Sequence, residues 1–413
     1  MQRITKTAIG LSFLALLACS GQLPIDVPGV GGGGPDISVE LSTDQQAAAE
    51  ELTGRVKDGH FPFEDRNNVD NGEIFLWLAA TSEVPEVIGA SLEGMYQRYS
   101  SAEIEGKLLV DSDYQAVTRF YLEHDDAFVQ GRAMEAVDHG LRGESPDAEA
   151  AATLSRLATE HADPAGRFAA LDALANYSSW QKDEAAAGAF LAALDDDTNY
   201  VISEALYRLQ FATFGLVEPD GFMDAGRKLL EHDDEGVRGR AVLFVGRLAE
   251  DDDDEVWELV HGMLDDDSGF VRSEAADAAS AMHRLEAVHK LIMMVRDDAA
   301  NTYDIDGWTQ LDGDDGRLHH DGSPWDRVDD AALRAIESVT FAMGDDKFDY
   351  PDVSPKTKED DIASAASAAE SWYRKHRNDL PDHPDKAAAA AALGKGGGAT
   401  RKKSNPGGRR TRQ

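Results

Sequence analysis

Apolar residues in the middle of the chain recur on two scales. On the short scale, Val129 and Ala133, Val201 and Ala205, Val237 and Ala241, and Val271 and Ala275 each stand four residues apart. That spacing puts both side chains on one face of an α-helix. On the long scale, Leu122-Glu-His-Asp-Asp-Ala-Phe-Val129-Gln-Gly-Arg-Ala133 returns 108 residues later as Leu230-Glu-His-Asp-Asp-Glu-Gly-Val237-Arg-Gly-Arg-Ala241, which is three periods of 36. Alanines at Ala133, Ala169, Ala205, Ala241 and Ala275, each preceded four residues earlier by Val129, Ala165, Val201, Val237 or Val271, fill the register between and beyond. A small residue at that point lets neighbouring helices approach to ~8–10 Å.

Each pair follows an aspartate or aspartate cluster: Asp125-Asp126, Asp163, 195–197, Asp233-Asp234 and 265–267. Aspartate accepts the free N–H groups of a helix start and suits the positive end of its dipole. Amphipathic runs at 114–123, 148–160, 184–194, 221–230 and 255–264 come before these turns. The pattern therefore predicts helix, acidic turn, helix in every unit, and an all-α fold: an α-solenoid spanning 73–345. Upstream, 38–72 reads as a capping region with a helix near 45–56, and 73–99 as a helix pair divided at Pro85. Downstream, a helix at 287–295 is separated from the next second helix, 330–343, by an insert at 300–328. A closing helix at 359–377 carries Trp372 and Tyr373 within a capping region of 346–380. No alternating strands bounded by Gly or Pro are found.

The two ends read differently. Arg3 and Lys6 precede a 12-residue, mostly apolar stretch from Thr7 to Ala18. As a helix it rises only ~18 Å, well short of a ~30 Å hydrocarbon core, so residues 1–18 read as a signal peptide. Leu16-Leu17-Ala18-Cys19 resembles a bacterial lipobox, and the resemblance implies that Cys19 becomes the lipidated N-terminus. Cys19 is the only cysteine, which excludes an intramolecular disulfide and any multi-cysteine metal site. Ser20 in place of aspartate favours the outer over the inner membrane of the cell envelope. Gly and Pro dominate 19–37, a flexible tether. Residues 381–413 read as a low-complexity tail, with eight basic and no acidic side chains from Lys386 onward, suited to polyanions.

Net charge sharpens the contrast. The whole chain carries −38, but residues 19–385 hold 30 basic and 78 acidic side chains, a net of −48. Such a surface favours solubility and repels nucleic acid, which is excluded as a partner of the body.

Asp234-x-x-Val237-Arg238-x-x-Ala241 is the fullest unit, and Val271-Arg272-x-x-Ala275 follows it with the aspartate one residue early at Asp267. Val129-Gln130 and Val201-Ile202 lack the arginine, and Ala165-Gly166-Arg167 displaces it by one. The units resemble HEAT repeats, in the short variety also found in phycobilisome-lyase-like proteins. A lipid-anchored solenoid of this kind is expected to be a non-catalytic scaffold that presents an extended surface to an envelope protein or peptide. The repeat resemblance supplies an alternative, a bilin-lyase-type enzyme. Against catalysis, the sequence contains no nucleophile elbow, phosphate-binding glycine loop, dinucleotide fingerprint or His-Glu-x-x-His. His124 and His232, at equivalent repeat positions, are expected to support helix ends.

Recurring arginines are expected to bond the acidic turns of adjacent units, and Arg132, Arg240 and Arg272 are also candidate partner-binding residues. The insert supplies Trp308 and Trp325 as further candidate anchors. Its Asp304, Asp306, Asp312 and Asp314 are candidate Ca²⁺ ligands, which opens a second alternative, a cation-dependent envelope module. The EF-hand pattern fails there, because Gly316 falls at position five counted from Asp312 and no glutamate stands at twelve.

Overall fold

A computed structural model describes residues 34–35, 37–59, 71–99, 112–142, 146–212, 216–217, 219–250, 252–297, 299, 327–350 and 358–395. The described residues fall into two compact units, 34–248 and 249–395.

The first unit begins with α1 (Thr43–Lys57), α2 (Asn71–Thr81) and α3 (Pro85–Tyr99). Four further pairs follow: α4 (Ser112–Tyr121) with α5 (Ala127–Ala136), α6 (Ala148–Glu160) with α7 (Pro164–Leu174), α8 (Glu184–Ala193) with α9 (Asn199–Leu209), and α10 (Pro219–Leu229) with α11 (Glu235–Leu248). First helices α2, α4, α6, α8 and α10 pack in succession, as do second helices α3, α5, α7, α9 and α11. The result is a two-layered α-solenoid stack. In the second unit α12 (Asp254–Met263) pairs with α13 (Gly269–Ala281), and α14 (Val288–Met294) with α15 (Val328–Thr340). A 3₁₀ segment, Phe341–Asp346, then α16 (Lys358–His376) and α17 (Asp385–Lys395) complete it. No β-strand occurs among the described residues. None of their helices is long and apolar enough to cross a membrane.

Helix starts follow the acidic turns. Asp126 accepts the N–H groups of Phe128 and Val129 at 3.0 and 3.1 Å, Asp163 that of Ala165 at 3.0 Å, and Asp234 that of Val237 at 3.0 Å. Two turns work differently. Asp196 and Asp266 accept from the N-cap residues Thr198 and Ser268 at 2.9 and 2.8 Å, tightening the turn rather than capping the helix. His124 and His232 brace their turns too, each ring Nδ1 accepting a backbone N–H two residues on, from Asp126 and Asp234, at 3.1 Å. At the N-terminus Ser42 and Gln45 form a capping box for α1.

Val129, Ala133, Val201, Ala205, Val237, Ala241, Val271 and Ala275 are all fully buried. The second unit of the repeat departs from the expected register. Ala165 and Ala169 are only half-buried, while Ala170 is fully buried and Gly166, four residues before it, takes the valine's place. The alanine steps are therefore 37 and 35 around this unit rather than 36 and 36. His161 is the reason. Its ring fills the space beside the helix start, and a Cβ on Gly166 would lie 2.2 Å from Nδ1. Only glycine admits the close approach.

The alanine run at the far end also differs from expectation. Residues 385–395, read from the sequence as part of a low-complexity tail, form α17, which packs on α14 and buries Ala389. Alanine's high helix propensity explains the helix, and the absence of large side chains explains why amphipathicity did not reveal it.

Candidate functional site

Arginines occupy two distinct rows. The first lies at the turns, immediately after the repeat valine or its substitute. Arg167 donates to its own turn at His161 O (3.0 Å) and to Asp196 of the following turn at 2.7 and 2.9 Å, with Asp197 at 3.0 Å. Arg272 does the same with the carbonyls of Asp266 and Asp267 (2.7 and 3.0 Å) and with Asp297 of the following turn (2.9 Å). Arg238 donates to the carbonyls of His232 and Asp233 at 2.8 and 2.9 Å. These side chains tie each turn to itself, and Arg167 and Arg272 also tie it to the next.

The second row runs along the second helices and points back toward the preceding helix. Arg132 on α5 reaches Glu93 on α3 at 3.3 Å and Glu135 at 2.7 Å, with its guanidinium 5.5 Å from the Phe128 ring. Arg208 on α9 pairs with Asp172 on α7 and with Glu204 at 2.5 Å. Arg240 on α11 lies 4.9 Å over the ring of Tyr207 on α9. In the second unit Arg334 on α15 faces Asp277 on α13 at 3.6 Å. Arg132 and Arg240 are each only 8% exposed, so both are largely enclosed by the stack rather than presented to solvent.

Burial dominates the electrostatics of this row. It pushes the Glu93 carboxyl up to about 7, although Arg132 pulls the other way. Glu204 is likewise raised, first by burial, and Arg208 and Arg240 oppose the shift. Within the first unit the row ends at Arg247, beside Phe211. Arg247 donates to Gln210 O at 3.1 Å and holds its guanidinium 5.8 Å over the Phe211 ring. Phe211 packs edge-on to Tyr207 at 5.3 Å and stays 65% exposed. Arg208 also lies 5.3 Å over Tyr207. Three arginines thus surround two adjoining rings, one of them open to solvent. Tyr207, Phe211 and Arg247 were not singled out by the sequence. Their signal was the helical spacing of 207 and 211 on a face the core did not use.

Cys19, Trp308, Trp325, Asp304, Asp306, Asp312 and Asp314 lie outside the described residues.

No protein-family model and no curated protein matches the chain. Solved structures similar to it include a designed armadillo repeat protein, YIII(Dq)4CqI, at 19% identity, covering 50% of this chain and 98% of that one with a TM-score of 0.39. Escherichia coli YibA is similar at 13% identity, over 63% of this chain and 93% of that one, with a TM-score of 0.42. Kap121p is similar at 12% identity, over 86% of this chain but 39% of its own length, with a TM-score of 0.44. The fold class rests on the helix pairs themselves.

Proposed function

We propose that this chain is a non-catalytic scaffold of the bacterial envelope, lipid-anchored through Cys19 to the outer membrane, that binds a protein or peptide on its second-helix face. The observation that carries the reading is Phe211, exposed beside Tyr207 and under Arg247. Aromatic and arginine side chains dominate binding energy at protein interfaces, provided the partner seals them from water. Here the rings are held in place by neighbouring guanidinium groups, so little side-chain freedom is lost on binding. Charged groups on the same face, Arg208 with Asp172 and Glu204, are engaged with one another, which suits recognition better than proton transfer. The leader and lipobox-like sequence support the anchor, and acyl chains contribute roughly 0.8 kcal/mol per buried CH₂.

A photo-crosslinking residue at position 211 tests the binding surface in native envelopes. A discrete adduct is expected, and it should vanish when Tyr207 is replaced by alanine. A crosslink of equal yield from an exposed position on α1, such as Glu50, would remove the assignment of this face. Separately, Cys19→Ser should release the protein from membrane fractions or stall its processing. Membrane retention of a processed variant would end the lipoprotein reading.

A further inference from the structure

The start of α17 brings three metal-ligating side chains together. His261 lies on the last turn of α12, one turn after the buried Trp257. His383 and Asp385 flank Pro384 at the entry to α17. Nε2 of His261 is 2.6 Å from Oδ2 of Asp385, and Nδ1 of His383 is 3.5 Å from the same oxygen. The two imidazole rings lie 4.7 Å apart at an angle of 59°. One donor atom from each of the three residues falls within 4.8 Å of the others, and this is the sole such group of three among the described residues. From these we infer that His261, His383 and Asp385 bind a divalent transition-metal ion of the zinc type, which clips α17 onto α12.

An ion pair that merely tied two helices together would need one histidine. Here two rings converge on a single carboxylate oxygen, and their side chains are only 17% and 15% exposed, with Asp385 at 19%. Two imidazoles brought this close would repel if both were protonated. His383 Nδ1 accepts the backbone N–H of Asp385 at 3.3 Å, a long contact that a cation would displace to take over the lone pair. In a tetrahedral site with bonds of about 2.0–2.1 Å, ligand atoms sit roughly 3.3 Å apart. The 3.5 Å separation is close to that, and the 2.6 Å contact need open by less than 1 Å to admit an ion. Three protein ligands leave a fourth position for water or a partner's side chain.

A second set of contacts fixes the ligands. The Trp257 ring lies 5.4 Å from that of His261, so its orientation is set by packing in α12. The segment carrying His383 is held by His289, which is fully buried on α14. Tyr373 Oη lies 2.7 Å from His289 Nδ1, and the carbonyl of Pro381 lies 2.8 Å from Nε2. A carbonyl can only accept, so Nε2 donates to Pro381 O while Nδ1 accepts from the Tyr373 hydroxyl. Supporting hydrogen bonds of this kind are what hold metal ligands in position. Two nitrogen donors and one oxygen select a zinc-class ion over Ca²⁺ or Mg²⁺, which take oxygen ligands. The site is independent of the binding face proposed above.

The test uses the full chain without an affinity tag, stripped with chelator and titrated with Zn²⁺ in a calorimeter. One equivalent should bind, raise the melting temperature, and resist competition by excess Ca²⁺ or Mg²⁺. His383→Gln and Asp385→Asn should each weaken binding by about tenfold or more, with the helical circular dichroism of the metal-free protein unchanged. Cobalt substitution of the unmutated chain gives a second readout that needs no variant, since tetrahedral nitrogen–oxygen ligation absorbs strongly in the visible. No stoichiometric uptake, uptake in both variants as tight as in the unmutated chain, or a weak octahedral cobalt spectrum would each overturn the site.

Discussion

Glu93 on α3 and Arg132 on α5 form an ion pair at 3.3 Å in which neither side chain is more than 9% exposed. Oε2 of Glu93 has no hydrogen-bond partner despite that proximity, so the attraction does not recover the cost of removing the carboxylate from water. Its pKa therefore rises to about 7 in the folded protein from an ordinary value of 4.5. A raised folded value means that the folded state holds the proton more tightly. The associated stability is fully present below about pH 4.5 and is lost as pH rises through about 7. The loss is of order 3 kcal/mol at most, from about 1.4 kcal/mol per pKa unit. Glu93→Gln should flatten the fall in melting temperature across that window. Parallel pH profiles for the two proteins would show that Glu93 stays ionised.

Arg167 supplies the second prediction. Its side chain is 12% exposed and that of Asp196 is 9%, and the two oxygens of Asp196 accept from Nε and Nη2. Charge-assisted hydrogen bonds of this kind contribute about 1.5–3 kcal/mol each at most, and they act together. Arg167→Ala should cost about 2–3 kcal/mol by denaturant titration. Arg167→Lys should recover less than half, because an ammonium cannot make the paired contact. Full rescue by lysine would reduce the contact to simple charge.

Most of the helical architecture was legible because capping and core packing act locally. The division at Pro85 and the start of the helix at Ala148 fall where the sequence placed them, and Val237 and Ala241 sit in the core. The register slip at Gly166 was not legible, since Ala165 and Ala169 satisfied the period as well as Gly166 and Ala170 do. The deciding contact comes from His161, a side chain in the turn whose position no periodicity encodes. The same limit hid the candidate face. Arginines recur in the sequence, but whether one bonds a turn, as Arg272 does, or lies over a ring, as Arg240 does, depends on contacts between repeats.

That slip yields a prediction of its own. Gly166→Ala places a methyl group 2.2 Å from the His161 ring, and overpacking of this kind costs typically about 1–3 kcal/mol. Combined with His161→Ala, the cost of the alanine should largely disappear. The pair should therefore show a coupling energy of about 1 kcal/mol or more in a double-mutant cycle. Additive effects would place the ring elsewhere and return the register to Ala165 and Ala169.

Substitutions at Arg240 and Phe211 test stability and the proposed recognition separately on one face. Arg240 is 8% exposed, lies over Tyr207, and opposes the upward shift that burial imposes on the Glu204 carboxyl. Arg240→Met keeps much of the side-chain volume and removes the charge. Glu204 should then shift further upward, and loss of the ring contact with its electrostatic support should lower stability by about 1–2 kcal/mol. Phe211 is 65% exposed, so Phe211→Ala should move stability by no more than about 0.5 kcal/mol. Binding should respond in the opposite order. A crosslink from a neighbouring probe at Arg247 should disappear in the Phe211 variant and persist, at a temperature where the protein is folded, in the Arg240 variant. If both variants lose the adduct while remaining folded, the enclosed arginine reaches the partner as well. If neither does, the exposed ring is not the anchor and the face does not carry recognition.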